Sequence, residues 1–346
     1  MKDGQERSAG KVKGGRKAVG SHDVARLAGV SRSAVSRAFT PGAYIAPETR
    51  RKVMEAAELL NYRPNAIARS LSKKRSGLVG LIGASLDNPF YAQLLAALGS
   101  ELQEHGYATL LLVARTENLD DLIPQLLSYQ VDGVILPAVH LSSQMAVELE
   151  KSGRPVVLVN RYLQEEIVSS VSGDNRGGGR VVGEMLARAG HQRIAFMAGE
   201  TDTSSSRDRL EGFRDGLAAH GRSIYASDVG QYRHAEAIEA TRRLLSLSPR
   251  PDAIFCANDV MAMAALEIAR VEFGLSIPDQ LAIVGYDNSD QAGWPPYQLT
   301  SVDQHLGEMA RLSVDLLMAK LASGDGTVEH RVVPATLIRR ATTLPA

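Results

Sequence analysis

The chain has 346 residues, 39 of them basic and 39 acidic, and 44% of residues are hydrophobic and 23% charged, the balance of an ordinary soluble protein. The single cysteine, Cys256, excludes an intramolecular disulfide and any four-cysteine or Cys2His2 zinc site, and no apolar run nears the roughly 18 residues of a membrane span. The basic first twenty residues are followed by no apolar stretch, so they do not read as a secretory signal, and a cytoplasmic protein is expected.

The formal net charge of zero hides two opposite parts. Residues 1–75 carry 17 Lys and Arg against 6 Asp and Glu, which leaves 22 against 33 for the rest. Such a split predicts a nucleic-acid-binding head on a body with another task. Residues 1–18 are Gly-rich and aperiodic and read as a disordered basic tail. Arg26, Arg32, Arg37, Arg50, Arg51, Lys52, Arg63 and Arg69, by contrast, lie among structural signals.

Residues 19–63 read as three short helices. Ser21 caps the first, with Val24, Ala25, Leu27 and Ala28 inward and Gly29 ending it. Ser31 caps the second, about Arg32 to Phe39, with Ala34, Val35 and Ala38 inward and Arg32, Ser33, Ser36 and Arg37 outward. Pro47 opens a third, to about Leu60, with Val53, Met54, Ala57 and Leu60 on one face. Two helices across a tight glycine turn with a third behind them make a helix-turn-helix. A bundle with no DNA role has the same pattern; the charge surplus favours DNA. Arginine on the outward face of the second helix suits bidentate reading of guanine.

From Gly77 onward, apolar runs such as Leu78–Ala84, Gly133–Pro137 and Ala253–Cys256 alternate with amphipathic helical stretches, the pattern of parallel sheets covered on both faces. About 270 residues is large for one sheet, so two α/β subdomains are expected. Ligands of open α/β sheets sit at strand carboxyl ends. The polar or aromatic groups found there are Asn88, Phe90 and Tyr91, Asn160 and Arg161, Ser204 to Arg209, Asn258 and Asp259, and Asp287. This set suits a polyhydroxylated ligand. Asn88, Asn258 and Asp259 would also serve as helix caps. Arg161, Arg207 and Arg209 facing one cleft would favour an anionic ligand, unless Arg161 or Arg207 pairs with a carboxylate.

Gly177–Gly179 with Gly183 lacks dinucleotide-loop spacing and reads as helix–strand packing. Cys256 reads as a small buried hydrophobe, and no metal site, cofactor or catalytic constellation is recognisable, so the chain does not read as an enzyme. A transport binding protein, the other reading of such a core, would need a signal peptide.

The run HDVARLAGVSRSAVSRAF, followed by TRRKVMEAAELLNYRPNAIARSLSKKRSGLVGLI, resembles the head of the lactose/galactose repressor family, and the likeness continues from about residue 19 over nearly the whole chain. The resemblance implies a repressor that binds a palindromic operator as a homodimer, with base-reading roles for Arg32, Ser33 and Arg37 and phosphate-facing roles for Ser31, Ser36 and Tyr44. Residues 64–76 would be a hinge helix and linker, with Asn65 and Ala68 on DNA and Leu71 as a minor-groove wedge. The core would be periplasmic-binding-protein-like, two doubly wound parallel sheets. One subdomain would span 77–161 plus about 303–323, the other 162–302 plus about 324–346. R-x-x-G-F and G-Y-D-N stand intact at Arg209 and Asp287. With Asn258 and a ring-stacking Tyr232, these match the family's contacts to a sugar, sugar acid or related effector in the cleft; Phe90, Tyr91, Asn160, Arg161 and Arg207 complete the expected set.

Overall fold

The computed structural model describes residues 19–40, 42–63, 75–84, 86–114, 119–137, 145, 148–149, 151–163, 167–324 and 326–344. The chain divides into two compact units, 1–76 and 77–346. The expected basic tail and the positions Asn65, Ala68 and Leu71 lie outside the described residues.

In the first unit the helices are α1 (Ser21–Ala28), α2 (Arg32–Ala38) and α3 (Pro47–Leu59). Local signals place their ends. Gly29 takes the left-handed conformation at φ 64° that glycine adopts without penalty, and Pro47 occupies the first turn of α3. Ser21 is not the cap of α1. Gly20 holds that position, and its N–H donates to Asp23 Oδ2 at 3.1 Å. Val24, Ala25, Val35, Ala38, Val53, Ala56 and Ala57 form the core. Leu27 and Met54, expected inward, are exposed; Ala56 takes the inward place on α3.

The second unit contains two six-stranded sheets. The first runs β11-β5-β4-β3-β1-β2, with β1 Leu78–Ala84, β2 Ala108–Ala114, β3 Gly133–Pro137, β4 Val156–Val159, β5 Ser169–Gly173 and β11 His330–Val333; every pairing in it is parallel. The second runs β12-β10-β9-β8-β6-β7, with β6 Ile194–Ala198, β7 Ala226–Val229, β8 Ala253–Cys256, β9 Ala282–Asp287, β10 Thr300–Asp303 and β12 Thr336–Ile338; only β12 is antiparallel. Central strands β3, β4, β6, β8 and β9 are buried along their whole length, as parallel strands covered on both faces must be. Helices among the described residues include α4 Pro89–Glu104, α5 Leu119–Ser128, α6 Asn175–Arg188, α7 Ser204–Ala218, α8 His234–Leu245, α9 Asp259–Val271 and α10 Leu306–Ser323. None among the described residues is long and apolar enough to cross a membrane.

Sheet pairing moves the expected subdomain boundaries. Ser169–Gly173 pairs with β4 and His330–Val333 pairs with β5, so both belong to the first sheet rather than the second lobe. The chain therefore passes between sheets near Asp174, near Gln304 and between Val333 and Thr336. β5 reads SSVSG, with no apolar run to reveal it, because serine hydroxyls replace aliphatic side chains on it.

The glycine cluster of α6 packs mainly helix on helix. A Cβ at Gly183 would lie 2.6 Å from the Phe213 carbonyl oxygen, and one at Gly212 on α7 would lie 1.9 Å from the Arg176 carbonyl oxygen. Only glycine allows this approach, which fixes the middle of α7 against the first half of α6. Gly178 alone meets a strand side chain, that of Tyr286.

Candidate functional site

On the head, α2 turns Ala34 and Val35 into the core and leaves Arg32, Ser33, Ser36 and Arg37 exposed on its other side. Ser31 caps α2 by accepting from the Ala34 N–H at 3.2 Å and lies 2.8 Å from the Ser33 hydroxyl. Tyr44 is 93% exposed. Not every arginine here is available to a partner. Arg50 donates to the carbonyls of Ala38 and Ala43, tying the end of α2 to the following loop, and Arg51 pairs with Glu48 and Glu55. Arg32 and Arg37 make no such ion pair among the described residues; Arg37 Nε reaches only the Ser33 carbonyl at 3.4 Å. The outcome is a convex face carrying two guanidiniums and three hydroxyls, fit for base edges and phosphates.

In the second unit several of the sequence-predicted cleft residues converge. Arg209, on the first turns of α7, is 2% exposed; Nε donates to Asn175 Oδ1 at 2.8 Å and Nη1 to the Ala257 carbonyl at 2.5 Å. Its guanidinium stacks 3.7 Å over the Tyr286 ring and lies 3.9 Å from Asp287 Oδ1. Asp287 accepts from Gln304 Nε2 at 2.7 Å. Burial pushes its carboxyl well above the ordinary carboxylate range, Arg209 and Gln304 opposing and Asp259 reinforcing that shift. Asn160 Nδ2 donates to the Tyr91 hydroxyl at 3.4 Å, and burial raises the Tyr91 phenol. The Tyr232 ring lies so close on Gly199 that a Cβ there would be 2.0 Å from it.

Asn258 both caps and faces the site. Its Oδ1 accepts from the Met261 N–H at 3.0 Å, while its Nδ2 is buried without a partner. Asn160 Oδ1, Arg161 Nε and Nη1, the Tyr232 hydroxyl and Gln304 Oε1 are likewise buried and have no partner among the described residues. Buried polar atoms are paired in the great majority of proteins, so this concentration marks a place built to receive something. The set is mixed, with donors on Arg161, Asn258 and Tyr232 and acceptors on Asn160 and Gln304.

Four expectations change. Phe90 is 1% exposed within the first-sheet core and braces Tyr91 edge to face at 5.3 Å, so its place is in packing. Arg207 does not join Arg209. Its Nη2 donates to the Tyr162 hydroxyl at 3.3 Å and its Nε lies 3.6 Å from Asp208. Both arginines sit on α7, where residues two apart point to opposite sides. Arg161 Nη2 meets Glu200 at 3.1 Å. Arg207 thus lies against Tyr162 and Asp208, and Arg161 has a carboxylate partner, so the three free guanidiniums in one cleft on which an anionic ligand depended are not assembled. Asp259 is no cap either; it accepts from Ser289 and Ser301. Residues missed in the sequence are Asn175, Tyr286, Gln304 and Glu200. Gln304 had a readable signal, since it follows the carboxyl end of β10; Asn175 follows the serine-rich strand that periodicity hides.

Comparison with known proteins bears on this geometry directly. The profile of bacterial regulatory proteins, lacI family, matches residues 22–65, and that of a periplasmic binding protein-like domain matches residues 184–343. The HTH-type transcriptional regulator CelR of Thermobifida fusca is 36% identical over 323 residues, 90% of this chain and 94% of CelR. This chain belongs to the lacI family. Among its relatives, the HTH-type transcriptional repressor PurR of Photobacterium profundum is 30% identical over 92% of the chain and 97% of PurR. Among solved structures, the lac repressor dimer bound to operator and the anti-inducer ONPF is similar at a TM-score of 0.86 and 30% identity, covering 95% of this chain and 100% of that one. The CelR–cellobiose complex is similar at 0.71 and 33%, covering 94% and 99%. The lacI-family membership accounts for both halves of the chain, the helix-turn-helix and the two-lobed core.

Proposed function

We propose that this lacI-family transcriptional regulator is a repressor that binds a palindromic operator as a homodimer in the cytoplasm and changes its hold on DNA when a neutral polyhydroxylated molecule, a sugar, enters the cleft of the core. The carrying observation is the ring of buried, unpartnered polar atoms on Asn160, Arg161, Tyr232, Asn258 and Gln304 around the Arg209–Asp287 pair. Hydroxyls both donate and accept, so a sugar satisfies such a mixed set. With Arg207 on Tyr162 and Asp208 and Arg161 on Glu200, no cluster of free guanidiniums is offered to a carboxylate or phosphate. In this reading Tyr232 and Tyr91 would supply ring faces to sugar C–H groups. The similarity to the CelR–cellobiose complex supports a saccharide and suggests the first compound to try.

On the head, Arg32, Ser33 and Arg37 would read bases and Ser31, Ser36 and Tyr44 would hold phosphates; Asn65, Ala68 and Leu71 are proposed to add minor-groove contacts. A ligand that prefers one lobe arrangement shifts the DNA-competent population by its differential affinity. The core acts in this reading as a binding device, without turnover. Burial pushes the Cys256 thiol up, which leaves it a poor nucleophile.

The test is a selection of DNA ligands from random sequence with the full chain. The selected site is then titrated in the presence of glucose, cellobiose, sucrose and ribose, and of the aldonic acids gluconate and cellobionate. A palindromic site whose occupancy responds to a neutral sugar and not to its acid is expected. A response to the acid alone would overturn the neutral ligand, and recovery of no common sequence would overturn the repressor.

A further inference from the structure

Asp287 reaches the cleft from an unusual stretch of backbone. It ends β9 at φ 119°, and Asn288 follows at φ 50°, two successive non-glycine residues on the positive side. Such conformations persist only where the surroundings hold them. The holding group is Asp259, the first residue of α9, which is 1% exposed. Its Oδ2 accepts from the Ser289 N–H at 2.8 Å and the Ser289 hydroxyl at 2.9 Å. Its Oδ1 accepts from the Ser301 hydroxyl at 2.5 Å, and that hydroxyl in turn accepts from the Asn288 N–H at 3.0 Å. The other side of Asn288 is fixed as well: Arg340 Nη2 donates to its Oδ1 at 2.6 Å, and its Nδ2 donates to Asp303 Oδ2 at 3.2 Å. Gly285 makes room for the carboxylate, since a Cβ there would lie 2.2 Å from Asp259 Oδ1.

A carboxylate taken out of water loses its hydration and is kept there only where donors replace it. Three donors do so here, all from the loop or from the strand beside it. A packing role would not require a charged group: an apolar side chain of the same size would fill the space without the desolvation cost. What an ionised carboxylate supplies uniquely is acceptor capacity on both oxygens, and here that capacity is directed to the two residues following Asp287.

We propose that Asp259 is a positioning residue of the effector site: it touches no ligand, but by accepting from Ser289 and, through Ser301, from Asn288 it locks the backbone that aims Asp287 at Arg209 and Gln304. The role in ligand binding rests on the cleft being the sugar site; the role in holding the loop does not. Asparagine at this position keeps the shape but offers one acceptor oxygen: its NH2 faces either the Ser289 N–H, a donor, or the Ser301 hydroxyl, which then no longer donates to it.

The experiment compares the full chain with Asp259→Asn and Ser301→Ala by amide hydrogen exchange and by thermal shift against the sugars named above. In Asp259→Asn the amides of Asn288 and Ser289 should exchange faster by about tenfold or more, with those of β8 unchanged. The sugar that stabilises the parent should bind about tenfold more weakly, and affinity for the selected operator without sugar should be retained. Ser301→Ala, which leaves the charge in place, should release the Asn288 amide alone and weaken the sugar by a smaller factor. Parent-like exchange at 288–289 in Asp259→Asn would overturn the clamp. Equal loss of protection in β8 would make Asp259 an ordinary core group, and if that variant does not fold, Ser301→Ala decides by the same amide. Should no sugar stabilise the parent, the cleft reading fails, while the exchange comparison still decides whether Asp259 holds the loop.

Discussion

The head and the core carry their functional residues in opposite ways. On α2 of the head, Arg32, Ser33, Ser36 and Arg37 are exposed, and the buried positions are apolar. In the core, Asn160, Arg161, Arg209, Asn258 and Asp287 are each at most 9% exposed, and five side chains of the cleft keep buried polar atoms without partners among the described residues. The contrast follows from the size and charge of what each would bind. A DNA groove comes to the protein, so its readers must stand proud of the surface and are helped by a long-range field. A small ligand has little area, so its site gains strength from desolvated polar groups held ready in place.

Substitutions can break that comparison. The largest effect is expected from Arg209→Lys. Lysine cannot reproduce the fork that reaches Asn175 and Ala257 and stacks on Tyr286, so effector affinity should fall about a hundredfold, ~2.7 kcal/mol. Operator binding without effector should survive, as calorimetry and fluorescence anisotropy on the one variant will show. Gly212→Ala drives a methyl group into the Arg176 carbonyl and should cost about 2 kcal/mol of core stability, seen as a lower midpoint in urea. On the head, Arg37→Ala should cost about 1–2 kcal/mol on the selected operator and nothing comparable on random DNA. Equal loss on both would make Arg37 a phosphate contact.

Acidity sharpens the same contrast. Burial raises the Asp287 carboxyl, so it takes up a proton at higher pH than an exposed carboxylate does. Arg209, Gln304 and Asp259 face it, and only Arg209 and Gln304 favour the charged form. Effector affinity should therefore weaken as the pH falls from neutral toward the ordinary carboxylate range, and Asp287→Asn should flatten that dependence. The smallest effect is expected from removing residues 1–17, which carry six Lys and Arg: non-specific DNA affinity and its log–log salt slope should drop, the slope by up to about five, with base preference unchanged.

Much of this was legible in the sequence where the controlling physics is local. Gly29, Ser31 and Pro47 mark helix ends by backbone conformation and capping, and the structure keeps all three in those roles. Leu27 and Met54 misled because on helices of two or three turns an apolar residue one step off the buried stripe still fits the pattern. In the core, apolar runs located the central strands, but β5 and β11, SSVSG and HRVV, carry no such run, and with them went the subdomain boundaries. Arg209 and Asp287 were readable because short motifs surround them. Arg207 lies two residues from Arg209 in sequence but not beside it in the cleft, because α7 begins at Ser204 and turns the two guanidiniums apart. Gln304 stands at the carboxyl end of β10 and could have been found there, whereas Asn175 depends on where the chain passes between the sheets after a strand without an apolar run, which no window of residues encodes.

The claim at the centre is that the buried polar ring around Arg209 and Asp287, and not the exposed face of the head, receives the signal that changes DNA binding. Titrating the selected operator with the parent chain and with Arg209→Lys, each with and without the panel of neutral sugars, tests it most directly. Both proteins should bind the operator equally in the absence of sugar, and a sugar that shifts the parent's affinity should leave the variant's unmoved. Equal responses in the two proteins, or a variant that loses the operator itself, would contradict the account.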